Sequence, residues 1–207
     1  MSGSGLKRSN NPPVFITRDT VKFLVQESGF RQIFEVPEYR FDDLCPTDRV
    51  IDIGANVGAF CIRASRYSQQ VVAVEPLTAT LLRENIYLNG VAAQVIEGAL
   101  GDGKPKTIWW DDNKVFTQTY PLKKIIEMAG GCDFLKCDCE GAEWSIEPED
   151  LHTVRRIEME LHLPPISGPP NPALLDYIGR YYHFEIERKP IHTTLGVMGV
   201  LHAERKT

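Results

Sequence analysis

Apolar positions along the chain gather into short continuous runs separated by amphipathic stretches, the pattern of strands buried on both faces alternating with helices. Residues 50–53, 71–75, 93–97, 134–138 and 156–161 read as such strands, and 184–188 and 196–203 as two more near the end. The spacing between them predicts helices over about 58–67, 78–88, 122–129 and 173–181, with a short helix around 148–151. Asn89-Gly90 and Gly130-Gly131 stop the second and third of these helices, and Pro121 opens the third. Residues 98–102 read as a loop, followed by short strands at 107–110 and 116–119 around a polar turn at 111–114. Regular βα alternation implies a mostly parallel sheet, and two last strands joined without a helix imply an antiparallel edge. The expected architecture is α/β: one doubly wound, mostly parallel seven-stranded sheet with an antiparallel C-terminal edge, preceded by a short N-terminal α/β extension.

The N-terminal part divides in two. Residues 1–13, rich in Ser, Gly and Asn, are expected to form a flexible lead. Residues 14–47 suggest a short helix over 19–27, capped by Thr17 or Asp19, then two short strands at 31–36 and 38–41 around Pro37. Such a piece either covers a ligand cleft or adds an edge to the sheet, and the sequence leaves both open. The main domain is expected to run over 48–207.

The first turn of that domain carries the strongest chemical signal. It reads Val50-Ile51-Asp52-Ile53-Gly54-Ala55-Asn56-Val57-Gly58-Ala59-Phe60, and the next strand ends Val74-Glu75-Pro76. Glu75 follows Gly54 by about 20 residues, the spacing at which doubly wound folds present an acid to a ribose diol. A dinucleotide turn needs G-x-G-x-x-G so that the backbone can approach a pyrophosphate. Here Asn56 stands in the second glycine position and Gly58 is out of place for the third. A nicotinamide dehydrogenase therefore fails on glycine spacing. S-adenosylmethionine (SAM), an adenosine cofactor without phosphate, fits better, because the Asn56 side chain, Asp52, Gly54 and Gly58 could hold its amino-acid tail. A strand, turn and helix that bind nothing are the plain alternative.

Composition narrows the class. The 207 residues suffice for one domain with a good core, and 43% apolar with 25% charged residues is ordinary for a globular protein. The net charge is −5 and no Lys/Arg run exceeds two residues, as at Lys7-Arg8 and Arg155-Arg156, which disfavours a long phosphate-tracking surface. No apolar run approaches the roughly 20 residues that span a bilayer, and the first residues lack a signal-peptide core, so a cytoplasmic location without membrane contact is expected. The five cysteines are then expected to be reduced thiols. Cys137-x-Cys139 lacks the paired spacing of a zinc site, and both residues read as small buried groups.

Ligands of such sheets bind at the carboxyl ends of the strands. Polar groups reach that rim from five successive strands: Asp52 and Asn56, Glu75, Asp102, Asp138 and Glu140, Glu160 and His162. Carboxylates crowded in this way repel unless a cation or donors lie between them. A sulfonium supplies one positive charge. A divalent metal on Asp138, Glu140, Glu160 and His162 would supply more, but Lys136, Arg155 or backbone amides could serve instead, so a metal is possible and not predicted. Glu143 is read as a carboxylate favoured by the first turn of a helix, and Trp109, Trp110 and Trp144 as packing groups.

Taken in order, Ile-Asp-Ile-Gly-Ala-Asn-Val-Gly (51–58), Val-Glu-Pro (74–76), Leu-Arg-Glu-Asn-Ile-Tyr-Leu-Asn-Gly (82–90), Ala-Leu-Gly-Asp (99–102), Leu-Lys-Cys-Asp-Cys-Glu-Gly-Ala-Glu (135–143) and Met-Glu-Leu-His (159–162) resemble the FkbM family of SAM-dependent methyltransferases. The resemblance covers roughly residues 50–202, and its most particular part is the Lys136-x-Asp138-x-Glu140-Gly141-x-Glu143 block. Cys137 and Cys139 depart from it, standing where the family more often has aliphatic residues, and the first 45 residues match nothing. The resemblance implies a Rossmann-like fold and methyl transfer to a hydroxyl of a sugar, polyketide or similar small molecule. For the cofactor, Glu75 is expected at the ribose hydroxyls and Ala99, Leu100 or Asp102 beside the adenine. Asp138 is the first candidate for general base, with Glu140 and His162 in reserve and Lys136 to orient Asp138. The proline-rich loop 164–172 is expected to wall the acceptor pocket.

Two other readings stay open. The Glu84-Asn85-Ile86-x-Leu88-Asn89 pattern also resembles tRNA guanine-modifying methyltransferases, although Asp138-Cys139-Glu140 replaces their Asn/Asp-Pro-Pro turn. A catalytically silent SAM-binding partner subunit is the other. The acceptor's identity and a possible homo-oligomer are beyond what the sequence specifies.

Overall fold

The buried runs assemble into one sheet. A computed structural model describes residues 14–17, 19–25, 33–34, 38–110, 113–188 and 196–207. Strands β1 (Arg49–Ile53), β2 (Gln70–Glu75), β3 (Ala93–Glu97), β4 (Phe134–Cys137), β5 (Arg156–His162), β6 (Tyr182–Arg188) and β7 (Val197–Arg205) are ordered β6-β7-β5-β4-β1-β2-β3. β1 to β5 pair in parallel. β7 runs antiparallel between β5 and β6, so the antiparallel pairing expected at the C-terminal end is present with β6 outermost. The chain order reverses at β1 and β4, and the carboxyl ends of these two strands form the switch point.

Side-chain alternation on the central strands builds a core on each face. Ile51, Ile53, Leu135, Ile157 and Met159 point one way and pack with α3 (Leu122–Ala129) and α4 (Pro172–Tyr181). Val50, Val71, Ala73 and Phe134 point the other way and meet α1 (Ala59–Ala64) and α2 (Ala79–Asn89). Local chemistry sets the helix ends as expected. Gly90 and Gly130 close α2 and α3 at φ 64° and 76°, and Asn171 caps α4 by accepting from the Ala173 N–H at 3.1 Å.

The N-terminal extension differs from expectation. Lys22–Phe23 is a strand paired with Phe15–Ile16, not part of a helix. The reason lies in α2: Asn89 Oδ1 accepts from the Lys22 N–H (2.9 Å), Asn89 Nδ2 donates to the Lys22 carbonyl (2.7 Å), and Asn85 Oδ1 accepts from the Leu24 N–H (3.0 Å). Ile33 and Phe34 are helical, and 38–41 form no strand, because Tyr39 and Phe41 pack on Phe60 instead of joining a ladder. Among the described residues the extension adds no strand to the seven-stranded sheet. Val21, Phe23, Tyr39 and Phe41 belong to the second core. The predicted lead, residues 26–27 of the predicted helix, and residues 31–32 and 35–36 of the predicted first strand lie outside the described residues. No helix among the described residues is long and apolar enough to cross a membrane.

Gly54, at the end of β1, is where two chain segments nearly touch. Its φ is 74°, and a Cβ there would lie 1.7 Å from the Asp138 carbonyl oxygen. Gly54→Ala combines a left-handed backbone with an impossible contact, so it is expected to cost about 3 kcal/mol or more. Thermal unfolding should fall by roughly 6–12 °C; a loss of under about 2 °C would show that β1 and β4 are not held this closely.

Candidate active site

Register brings the first polar pair together. Lys136 on β4 lies beside Asp52 on β1, and both are buried. The Lys136 ammonium contacts Asp52 Oδ1 at 3.1 Å, donates to the Gly54 carbonyl at 3.0 Å and lies 4.0 Å from Asp138 Oδ2. Burial alone would lower its pKa, but the facing Asp52 and Asp138 carboxylates outweigh that and hold it above its ordinary value. Asp52 Oδ2 also accepts from the Cys61 N–H at 3.1 Å. Asp52 and Lys136 therefore sit beneath the glycine turn and stiffen it.

The turn presents the next groups. Asn56 has φ 47°, a left-handed conformation that Asn tolerates better than most residues. Its N–H donates to Glu75 Oε2 at 2.9 Å, while Glu75 Oε1 accepts from Leu77 and Thr78 at 2.7 and 3.0 Å. Three backbone donors thus hold the carboxylate in place, and Oε2, with one donor, keeps acceptor capacity. Asn56 Oδ1 is buried with no hydrogen-bond partner, a state that costs about 1–3 kcal/mol unless a ligand donor meets it. Gly58 serves the fold instead, opening α1 at φ 99°, where a Cβ would lie 2.7 Å from Leu82 Cδ1.

Gly54, Asn56, Glu75, Ala99, Leu100, Asp138 and Glu140 line one cleft at the strand ends. Pro76, Leu77, Ile108 and Trp109 complete the apolar wall. Asp102 is not in it; its exposed carboxylate pairs with Lys106 at 3.1 Å, which with a hydrogen bond from Lys104 lowers its pKa. The hairpin of Lys106–Trp110 and Asn113–Thr117 supplies that edge through Ile108 and Trp109 instead. Trp109, read from the sequence as a packing group, is 63% exposed. The structure places Trp144 against the core, its indole N–H donating to the His162 carbonyl at 2.7 Å.

Asp138 lines the same cleft. Tyr39 of the extension donates its hydroxyl to Asp138 Oδ2 at 2.8 Å, and its ring lies 5.5 Å from the Lys136 ammonium. Burial and the Glu160 charge raise the Asp138 pKa against the opposing pull of Lys136 and the Tyr39 hydrogen bond. Glu140, at φ 54°, turns its half-exposed carboxylate toward His162. His162 is fully buried, and burial disfavours its charge, yet hydrogen bonding and charge from Glu143 and the neighbouring acids raise its pKa to about 10. Glu143 is more than a helix-end carboxylate. Its Oε1 accepts from the His162 backbone N–H at 2.8 Å and faces Nδ1 at 3.1 Å, and its Oε2 accepts from Gly141 at 2.8 Å.

The proline-rich loop packs on the back of this block. Ser167 Oγ donates to the His162 carbonyl at 2.8 Å, and a Cβ on Gly141 would lie 2.3 Å from Ser167 Cβ. The loop contributes no residue to the cleft wall. Cys137 is buried in the core, Cys139 lines the cleft, and their sulfurs are 3.4 Å apart. All five cysteines are free. Arg155 is committed to Asp43 and Asp48 at 2.9 and 2.7 Å, and Arg156 to Glu158 at 2.8 Å, so this basic pair is occupied within the fold.

The Methyltransferase FkbM domain matches residues 52–187. No curated protein sequence matches the chain. Among solved structures, the chain is similar to an rRNA methylase from Streptococcus thermophilus, at a TM-score of 0.54 and 10% identity, covering 79% of this chain and 90% of that one. It is similar to a dimethyladenosine transferase from Plasmodium falciparum, at 0.51 and 10% identity; 79% of this chain is covered, and it spans only 57% of that structure's length. A precorrin 8W decarboxylase from Methanobacterium thermoautotrophicum aligns at 0.50 and 11% identity over 93% of this chain and 97% of that one. At these identities the likeness is one of fold.

Proposed function

The chain belongs to the FkbM methyltransferase family, a SAM-dependent family, and on that premise we propose that it methylates a hydroxyl oxygen of a small or sugar-like acceptor. The observation that carries this reading is that Glu75 and Asp138 line one cleft together with Asn56, whose buried Oδ1 has no partner. Glu75 Oε2 would take the ribose hydroxyls. Asn56 Oδ1 and the Gly54 turn would meet the ammonium and carboxylate of the methionine tail. Ala99, Leu100, Ile108 and Trp109 would enclose the adenine. SAM supplies an electrophilic methyl group on a sulfonium.

The residues of this chain then have to orient an oxygen and remove its proton. Displacement at the methyl carbon requires the acceptor oxygen, carbon and sulfur in line at near-attack distance. Asp138, with its raised pKa, would accept the hydroxyl proton as the oxygen attacks. Lys136 and Tyr39 hold that carboxylate in place. The extension 14–47 would thus serve as cover, through Tyr39.

Tyr39→Phe is expected to lower kcat about three- to tenfold by loosening Asp138, and to cost about 1 kcal/mol of stability. Steady-state assay beside thermal unfolding checks this; unchanged kcat would remove Tyr39 from the site.

The function itself is tested by incubating the protein with SAM labelled in its methyl group and either hydroxylated small molecules and glycosides or purified tRNA and rRNA. Label in an alkali-stable methyl ether of a small acceptor supports the proposal. Label on an RNA base would replace it with the RNA reading, against which the internal pairing of Arg155 and Arg156 weighs.

A further inference from the structure

His162 is held in an orientation that neither cofactor binding nor proton removal requires. Glu143 faces Nδ1 at 3.1 Å, so a neutral ring donating there turns its Nε2 lone pair outward. That atom is buried and lacks a hydrogen-bond partner, although Glu160 Oε2 lies 3.2 Å away, Glu140 Oε2 3.4 Å and Asp138 Oδ1 3.9 Å. Three carboxylates gathered around one ring nitrogen repel one another unless a cation, whether a proton or a metal ion, sits among them. A proton on Nε2 offers one positive charge against three acids. The Lys136 ammonium is shared between Asp52 at 3.1 Å and Asp138 at 4.0 Å, so it offsets only part of that charge.

We propose that Asp138, Glu140 and His162 bind one divalent cation at the acceptor side of the cleft. The ligand atoms of these three residues lie within 4.8 Å of one another. Two ligands at about 2.1 Å from one ion stand roughly 3–3.5 Å apart, so small side-chain shifts would close the set. Glu143 supplies the carboxylate that metal-bound histidines characteristically use on the other ring nitrogen. Glu140 is kept facing His162 by a left-handed backbone that non-glycine residues seldom adopt. Two carboxylates and one imidazole suit a cation between the hard and borderline classes, such as Mn²⁺, and three protein ligands leave positions open. Because two of its ligands, Asp138 and Glu140, line the cleft, an acceptor oxygen would fill one open position, and vicinal hydroxyls could fill two. The inference rests on the acceptor-side reading above and narrows the acceptor to molecules that chelate.

The test titrates metal-stripped full-length protein with Mn²⁺, reading free ion by its electron paramagnetic resonance signal, with SAM binding measured in parallel by calorimetry. One ion per chain is expected, with affinity falling at least tenfold in Glu140→Gln, whose side chain is 45% exposed and is a mild substitution for the fold. Asp138→Asn should do the same. Absence of saturable Mn²⁺ binding, or equal binding by Glu140→Gln, overturns the inference, and intact SAM binding in that experiment leaves the methyltransferase reading standing. Specific Mn²⁺ binding without SAM binding would instead support the ion site and count against the cofactor cleft.

Discussion

Glu75→Ala is expected to weaken SAM binding by about a hundredfold or more. Hydrogen bonds from ribose hydroxyls to a carboxylate are each worth about 1.5–3 kcal/mol, and alanine removes both. It also releases the N–H groups of Asn56, Leu77 and Thr78, which Glu75 holds together. The turn that carries Asn56 would lose one tie to β2 while keeping the Gly54 and Ala55 N–H bonds to the Val74 carbonyl, so binding of the methionine tail should suffer as well. Glu75→Gln keeps the size and one acceptor oxygen, and its loss should be nearer tenfold. Calorimetric titration of both variants, with thermal unfolding to confirm the fold, makes the comparison. A folded Glu75→Ala protein with a Kd within threefold of wild type would move the ribose away from β2.

Asp138→Asn should act on turnover and not on the cofactor. Loss of a general base typically lowers kcat by about 10²- to 10⁴-fold, while SAM affinity should stay within roughly threefold. The substitution is close to isosteric. The amide oxygen that replaces the carboxylate could still accept from the Tyr39 hydroxyl, and Lys136 would keep Asp52 at 3.1 Å and the Gly54 carbonyl at 3.0 Å. A structural collapse is therefore not the expected cause of the loss. Single-turnover transfer at saturating SAM isolates the step, and a rate within threefold of wild type would take Asp138 out of the chemistry.

Short-range spacing decides what is legible in the sequence. Gly54, Asn56 and Glu75 can be placed because one βαβ unit fixes their relation, and Asp138 because it ends a strand that must lie beside the first. The Asp52–Lys136 pair depends on the β1–β4 register, formed between segments more than 80 residues apart, which no local pattern specifies. Glu143 is hidden for a similar reason: its partner, His162, comes from β5. Asn85 and Asn89 resemble an RNA-enzyme motif, yet they tie the extension to α2. Asp102 lies next to the right loop in sequence, but its charge finds Lys106 and solvent, leaving the cleft edge to Ile108 and Trp109. The extension is the least legible part, because the alternation at Tyr39 and Phe41 reflects packing on Phe60 and not strand pairing.

The central claim, a cofactor cleft facing Asp138, is tested most directly by a crystal structure with S-adenosylhomocysteine, the demethylated cofactor. The ribose hydroxyls are expected at Glu75, the ammonium at Asn56 Oδ1, adenine between Leu100 and Trp109, and the sulfur facing Asp138 across the cleft. A nucleoside bound elsewhere, or a sulfur turned away from Asp138, would contradict the claim.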